Sequence, residues 1–193
     1  MAISFQDVER LQRLYPDNQI ELREGKIIIM SPSDFASSEI GARFIAQLSI
    51  YMYNHNLSGR ILESSAGFRL PNGDLLAPDV SFVSLERLKK SPRTYASVVP
   101  ELIVEIKSSS DRVRELEEKI ALFLSQGVQV GILINPDKHT VSVYRSTGLS
   151  EDAEGEVSIS PAAILRDGDT LTIPELFPGW TMPITSLWPP VSE

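Results

Sequence analysis

Glu105 and Lys107 are the residues of this chain whose types and setting first suggest chemistry. They close the run Pro100-Glu101-Leu102-Ile103-Val104-Glu105-Ile106-Lys107, β-forming residues bounded by a proline and by Ser108-Ser109-Ser110. That pattern predicts a buried strand. Side chains alternate across a strand, so Glu105 and Lys107 share one face and Leu102, Val104 and Ile106 the other. An acid and a base at the end of an apolar strand are costly unless paired, ligated or open to solvent. A second acid, Asp79, follows Pro78 in another strand-like run, Ala77 to Val83. If the two strands are neighbours, Asp79, Glu105 and the backbone carbonyl of Ile106 offer oxygen ligands suited to a hard cation, Mg²⁺ or Mn²⁺. Such a cation polarises a phosphoryl oxygen and acidifies a bound water. Lys107 would orient that water or stabilise charge on the phosphate. The chemistry so outlined is metal-assisted hydrolysis of a phosphodiester.

The setting, more than the tripeptide, carries this reading. Glu24-Gly25-Lys26 and Glu117-Glu118-Lys119 repeat the spacing, the first in a predicted hairpin turn and the second on a predicted helix, where charges are ordinarily solvated. Lys119 lies at the margin of its helix's apolar stripe, between Leu116 and Phe123. It is either a rim lysine whose stem covers apolar surface or a further member of the site. Lys89, Lys90 and Arg93 lie between the two acidic strands and read as a solvated run or as phosphate contacts. Ser108 to Ser110 read as helix-entry residues, since no histidine or nucleophile-elbow pattern accompanies them. His55 and His139, the two histidines, read as helix-end or turn residues.

The elements that must position these groups follow from periodicity. Phe5 to Tyr15 reads as a short amphipathic helix with Val8, Leu11 and Leu14 on one stripe. Ile20 to Met30 reads as a hairpin around Arg23-Glu24-Gly25-Lys26, and Pro32 breaks the chain. A long helix runs from a cap at Ser37 or Ser38 to about His55, with Ile40, Phe44, Leu48 and Tyr51 as its apolar stripe. Gly59 to Leu70 is a second β region, Pro71-Asn72-Gly73-Asp74 a turn, and Leu85 to Lys90 a helical turn. After the central strand, Ser110 or Asp111 caps a helix with the stripe Val113, Leu116, Ile120, Phe123 and Leu124. Gly127 ends that helix, with Val128 packing back on Phe123. Gln129 to Asn135 and Thr140 to Arg145 are further strands. Ser150 to Glu156 reads as an acidic mobile loop, and Leu171 to Trp188 as a β-rich closure anchored by Phe177 and Trp180. Together these predict an α/β mixed sheet with helices on both faces, in a single domain spanning residues 1–193.

Composition narrows the function. The chain has 193 residues, 42% hydrophobic and 23% charged, which is enough for a sizeable core. It has no cysteine, which excludes disulfide scaffolds, thiolate metal sites and thiol nucleophiles. The net charge of −8 argues against coating nucleic acid by bulk electrostatics, though not against meeting phosphates through a metal. No signal pattern or membrane-length apolar run is seen, so a cytoplasmic protein that does not enter a membrane is expected.

Pro78-Asp79 followed by Glu105-Ile106-Lys107 and a helix resembles the PD-(D/E)XK nuclease motif. The likeness extends to Met30-Ser31-Pro32-Ser33, Gly67-Phe68-Arg69-Leu70-Pro71-Asn72-Gly73, Ala77-Pro78-Asp79-Val80-Ser81 and Glu105-Ile106-Lys107-Ser108. It continues through Glu118-Lys119-Ile120, Gly127-Val128 and Leu176-Phe177-Pro178-Gly179-Trp180. In this order the motifs resemble the Uma-two family of restriction-endonuclease-like proteins, over roughly Ile20 to Trp188. The resemblance implies a restriction-endonuclease-like mixed β-sheet core flanked by helices, with an extra N-terminal hairpin and C-terminal β elements. It implies Asp79 and Glu105 as metal ligands, Lys107 as the catalytic lysine, and a homodimer. Members often carry an acid or histidine at the start of the long helix. Ala36 and Ser37 stand there in this chain, and Glu39 is the nearest acid; it is either a further site residue or the partner of Arg43 four residues on.

The expected function is therefore a divalent-metal-dependent endonuclease acting on DNA. The alternative is a nuclease fold serving as a non-catalytic binding or assembly module. A phosphate-handling enzyme of another kind ranks below both, because no glycine-rich phosphate loop is present.

Overall fold

The computed structural model describes residues 3–30, 33–151 and 157–190. The Ser31-Pro32 part of the first motif and residues 152–156 of the expected acidic loop lie outside the described residues.

Helix α1 (Phe5–Leu14) begins with a capping box between Ser4 and Asp7 and buries Val8. Phe5 and Leu11 pack beside Val8, but Leu14 is exposed. Residues three apart fall about 60° behind on each step, so the third step carries Leu14 out of the stripe. Strands β1 (Gln19–Arg23) and β2 (Lys26–Met30) form the expected hairpin. Its turn residues, Glu24 and Gly25, both have positive φ, as a two-residue hairpin turn requires.

Helix α2 (Phe35–Asn54) is capped by Asp34, three residues ahead of the expected Ser37. The Asp34 carboxylate accepts both the backbone N–H and the hydroxyl of Ser37, at 2.9 and 2.7 Å. Its other oxygen accepts the N–H of Ser109 at 2.8 Å, which ties the start of α2 to the loop beyond the central strand. These donors hold Asp34 down at about 2.

Strands β3 (Gly59–Glu63), β4 (Phe68–Arg69), β5 (Leu75–Leu76) and β6 (Val80–Ser84) follow, then the central β7 (Leu102–Ile106). Between β6 and β7, the Leu88 N–H closes one helical turn on the Ser84 carbonyl. Helix α3 (Val113–Ser125) has Arg112 at its N-cap. Asp111, an expected cap, instead accepts the N–H of Ser108 and closes the loop after β7. Gly127 adopts positive φ, and the Val128 N–H returns to the Phe123 carbonyl as expected. The remaining strands are β8 (Val130–Asn135), β9 (Thr140–Tyr144), β10 (Leu149–Glu151), β11 (Val157–Ile159), β12 (Ala163–Leu165), β13 (Thr170–Leu171) and β14 (Met182–Pro183). Ser150 and Glu151, expected in a loop, pair with Ser158 and Val157.

The main sheet runs β12-β9-β8-β7-β6-β3, and a smaller one runs β2-β1-β5-β4. Only β7 and β8 pair in parallel within the main sheet, since α3 carries the chain back between them. The two faces of β7 separate two cores. Leu102, Val104 and Ile106 pack under Ile40, Phe44 and Leu48 of α2. Ile103 packs with Ile120, Phe123 and Leu124 of α3. Gly131 of β8 lets α3 approach closely, since a Cβ there would lie 2.5 Å from Ile120 Cγ2. The C-terminal closure seals the α2 side with Phe177, Trp180, Met182, Ile184 and Leu187. It is mostly turns, with β13 and β14 as its short strand pair, so the β-rich expectation was too strong there. Among the described residues no helix is long and apolar enough to cross a membrane.

Candidate active site

Strands β6 and β7 are antiparallel neighbours, with Val80 opposite Val104. Continuing that register places Asp79 opposite Glu105, at the end where β7 gives way to the loop. The Asp79 carboxylate accepts the Ile106 backbone N–H at 2.7 Å. Asp79 and Ile106 both line a cleft of about 440 Å³. One wall of the cleft is the first turns of α2, where Ser37, Ser38, Gly41 and Ala42 leave room above the sheet. Asp17, Gln19 and Met30 from the hairpin side and Glu63 from the end of β3 complete much of the rim. Its charged lining residues are all acids.

Glu105 lies on the opposite face of β7 from Ile106 and is buried. It meets Lys119 of α3, whose ammonium is 3.1 Å from one carboxylate oxygen and 3.3 Å from the other. The same ammonium lies 2.9 Å from a carboxylate oxygen of Glu21 and donates to the Ala77 carbonyl at 2.9 Å. Glu21 in turn accepts the Ala77 N–H at 2.8 Å. Lys119 is thus a buried cation joining the hairpin, the segment leading to Asp79, and the central strand. Of the two readings of Lys119, the rim lysine is excluded by this burial.

The acids around Lys119 outnumber it. Burial raises Glu105 to about 8, aided by Asp79 and Glu21 and opposed by Lys119. Burial also raises Asp79 above the ordinary carboxylate range, against the pull of Lys119 and the Ile106 N–H. Burial would lower Lys119, but Glu105, Glu21 and Asp79 outweigh it and hold the ammonium above the usual lysine range. One buried oxygen of Glu105, though 3.1 Å from Lys119, has no hydrogen-bond partner in proper geometry. By contrast Glu101, the buried acid at the other end of β7, is satisfied by Ser84 and Arg87.

These features bear on a divalent cation. Asp79, Glu105 and the Ile106 carbonyl are hard oxygen donors, with an unsatisfied carboxyl oxygen on Glu105 and more acids than the one ammonium of Lys119 can pair. By type and charge they fit Mg²⁺ or Mn²⁺. Among the described residues no three His, Asp or Glu side chains stand ready to hold a metal together, so water or substrate oxygens would complete the shell.

The other candidates fall elsewhere. Lys107, on the face of Glu105 by alternation, donates to Asp137 at 2.7 Å and to the Ser108 carbonyl at 3.0 Å and is not among the residues lining the cleft. Glu39 takes a two-pronged bond from Arg43, at 2.9 and 2.7 Å. Arg93 lines a separate pocket near Arg60 and Tyr95. Glu21 was missed by the sequence reasoning. Its signal was present in Gln19-Ile20-Glu21-Leu22-Arg23, an acid between two apolar residues of a strand, where the residue alternating with the core side faces outward only if nothing covers it. Here α3 and the Ala77 segment cover it.

A family model named Uma2, described as "Putative restriction endonuclease", matches residues 5–185 of this chain. Among solved structures, the crystal structure of "a putative nuclease belonging to DUF820" from Anabaena variabilis superposes with a TM-score of 0.72. Its sequence identity is 22%, and the match covers 96% of this chain and 97% of that one, which shows a shared fold. No curated protein matches the chain.

Proposed function

Because this chain belongs to the Uma2 family of restriction-endonuclease-like proteins, we propose that it is a nuclease that uses a divalent cation to hydrolyse phosphodiester bonds in DNA. The observation that carries this reading is the set of carboxyl groups at the end of β7: Asp79 beside the cleft and Glu105 and Glu21 behind it, three acids around the single ammonium of Lys119. A stable fold has no use for such a surplus of acids, since ionising them without a partner in the interior costs several kcal/mol per ion. A metal site does. Asp79, Glu105 and the Ile106 carbonyl would hold Mg²⁺ or Mn²⁺, which when bound supplies Lewis acidity to a phosphoryl oxygen and a nucleophilic water.

The acidic cleft supports the same reading. With acids lining it and no lysine or arginine among its lining residues, a phosphate could approach Asp79 only with its charge screened by a cation. Lys107, one alternation beyond Glu105 on the same face, would exchange the exposed Asp137 carboxylate for a substrate phosphate oxygen and stabilise its charge. Lys119 is too buried to leave its acids and reach a substrate. Glu39, engaged with Arg43, serves helix α2 in this reading. The single domain spanning the chain and the homodimer implied by the family resemblance belong to the same proposal; sedimentation of the purified protein tests the latter.

The test is Mn²⁺ binding and DNA cleavage by wild type beside Asp79→Asn and Glu105→Gln. The proposal expects saturable binding lost in both variants, and Mn²⁺-dependent cleavage by wild type alone. A second reading, a non-catalytic binding module, is favoured by one observation: Glu105 and Lys107 both have protein partners already. It predicts no metal binding by wild type and nucleic-acid binding unaffected by Glu105→Gln.

A further inference from the structure

Glu21 belongs to no motif that carries the proposed function, yet it is among the most buried charged residues of the chain. Its carboxylate accepts the Ala77 N–H and lies 2.9 Å from Lys119 Nζ, the same ammonium that stands 3.1 Å from the metal-ligand candidate Glu105. Ala77 also receives Lys119 on its carbonyl. One residue, two positions before Asp79, is thereby gripped by both members of the Glu21–Lys119 pair.

Charge counting shows what this arrangement does. Without Glu21, the one positive charge of Lys119 would cancel one of the two negative charges of Asp79 and Glu105. With Glu21 present, Lys119 is matched by Glu21, and Asp79 and Glu105, once they give up their protons to a divalent cation, present a formal charge equal and opposite to it. The orphaned oxygen of Glu105 agrees with an ammonium whose attraction is shared. A purely structural role has less to recommend it, because a buried ion cluster replaced by apolar side chains is often neutral or stabilising.

We propose that Glu21 is a positioning residue of the metal site: by binding the Lys119 ammonium it keeps that cation from neutralising Glu105, so that Asp79 and Glu105 are left free to hold a divalent metal. The inference rests on the metal-site reading above and adds to it a residue that touches neither metal nor substrate.

The experiment measures Mn²⁺ affinity, by titration calorimetry or by the loss of the free-ion paramagnetic resonance signal. It uses the full chain as wild type, Glu21→Gln and the double variant Glu21→Gln/Lys119→Met, with circular dichroism confirming the fold of each. Gln keeps the size of Glu21 and an acceptor for the Ala77 N–H while removing the charge. One neighbouring charge of this kind changes the balance by about tenfold or more, so Glu21→Gln is expected to weaken Mn²⁺ binding at least about tenfold. Removing Lys119 as well takes away the competitor, so the double variant is expected to recover to within about threefold of wild type. A structural role gives no such rescue. Wild-type affinity in folded Glu21→Gln, or a double variant as weak as the single one, overturns the proposal. If wild type itself binds no Mn²⁺, the metal-site reading fails and this inference with it, an outcome distinct from the other two. Should Glu21→Gln not fold, the double variant decides: it retains both ligands, and loss of its binding refutes the role given to Glu21.

Discussion

Removing the titratable group of Glu105 is expected to change how stability depends on pH, and the direction is fixed by the structure. Burial among carboxylates raises Glu105 from 4.5 to about 8 in the folded, metal-free protein. An acid whose folded value is raised prefers to be protonated in the fold. Its stabilising contribution is therefore fully present below the unfolded value and is lost as pH rises through the folded value. For Glu105 that window runs from about 4.5 to about 8. At about 1.4 kcal/mol for each tenfold change in proton affinity, the loss across the window is up to roughly 4 kcal/mol. Asp79, also raised, adds to the slope with the same sign. Lys119 does not, because its folded value lies above the ordinary lysine range, and its contribution is constant until pH rises past the unfolded value.

The perturbation is Glu105→Gln, which keeps the shape and removes the proton. Urea unfolding of wild type and variant in EDTA, at pH 5, 6, 7 and 8, reads the difference. Wild type should lose stability relative to Glu105→Gln as pH rises, by a few kcal/mol in total. Saturating Mn²⁺ should then restore wild type at pH 8 and leave the variant unchanged. Parallel pH profiles in EDTA would refute the assignment of buried, uncompensated charge to Glu105, and with it the main physical argument for a cation.

The two lysines should separate cleanly. Lys119→Ala leaves Glu21 and Glu105 buried without their cation and is expected to cost about 3–5 kcal/mol in denaturant unfolding. Lys107→Ala, losing a pair whose Asp137 is two-thirds exposed, should cost less than about 1 kcal/mol, yet abolish most Mn²⁺-dependent cleavage. Asp34→Ala removes both the cap of α2 and its tie to Ser109, and should destabilise by about 1–2 kcal/mol. That contribution, from an acid depressed to about 2, should be present above the ordinary aspartate range and disappear as wild type is acidified towards pH 2. Gly131→Ala drives a methyl to within 2.5 Å of Ile120 and is expected to cost about 1–3 kcal/mol, measured by thermal unfolding.

How much of this was legible beforehand depended on whether a residue's role is set by its near neighbours in sequence. The alternation in Leu102-Ile103-Val104-Glu105-Ile106 separated the side chains into two faces, and the structure packs one face under α2 and the other against α3. Gly127 and Val128 marked the end of α3 because a Schellman ending is a local affair. Helix beginnings were read less well. A carboxylate three residues upstream outcompetes a serine for the same N–H groups, as Asp34 does over Ser37, and Asp111 was drawn back to Ser108 instead of capping α3. Lys119 was placed at the margin of a stripe, but periodicity alone could not say whether that margin was wet. Two elements distant in sequence decide it: the hairpin that supplies Glu21 and the strand that supplies Glu105.

The same distinction explains why the motif Glu105-Ile106-Lys107 misleads slightly about its own lysine. Alternation puts Glu105 and Lys107 on one face, but Glu105 lies within the sheet's span and Lys107 just beyond it, where the chain leaves β7 and the Lys107 N–H bonds to Ile134. A side chain inside the sheet is covered by α3, while one at its end turns to the rim and takes the solvent-exposed Asp137. Identical direction therefore gives opposite environments. The buried position faces an ammonium from the helix that Glu21 shares, and the position at the strand's end has a replaceable partner. A substrate phosphate can displace an exposed carboxylate from Lys107 at little cost, whereas Lys119 is buried and held by Glu21, Glu105 and the Ala77 carbonyl at once. In the proposed reading one lysine stays locked among the buried acids while the other is free to meet the substrate, and the paired measurements on Lys107→Ala and Lys119→Ala test that division directly.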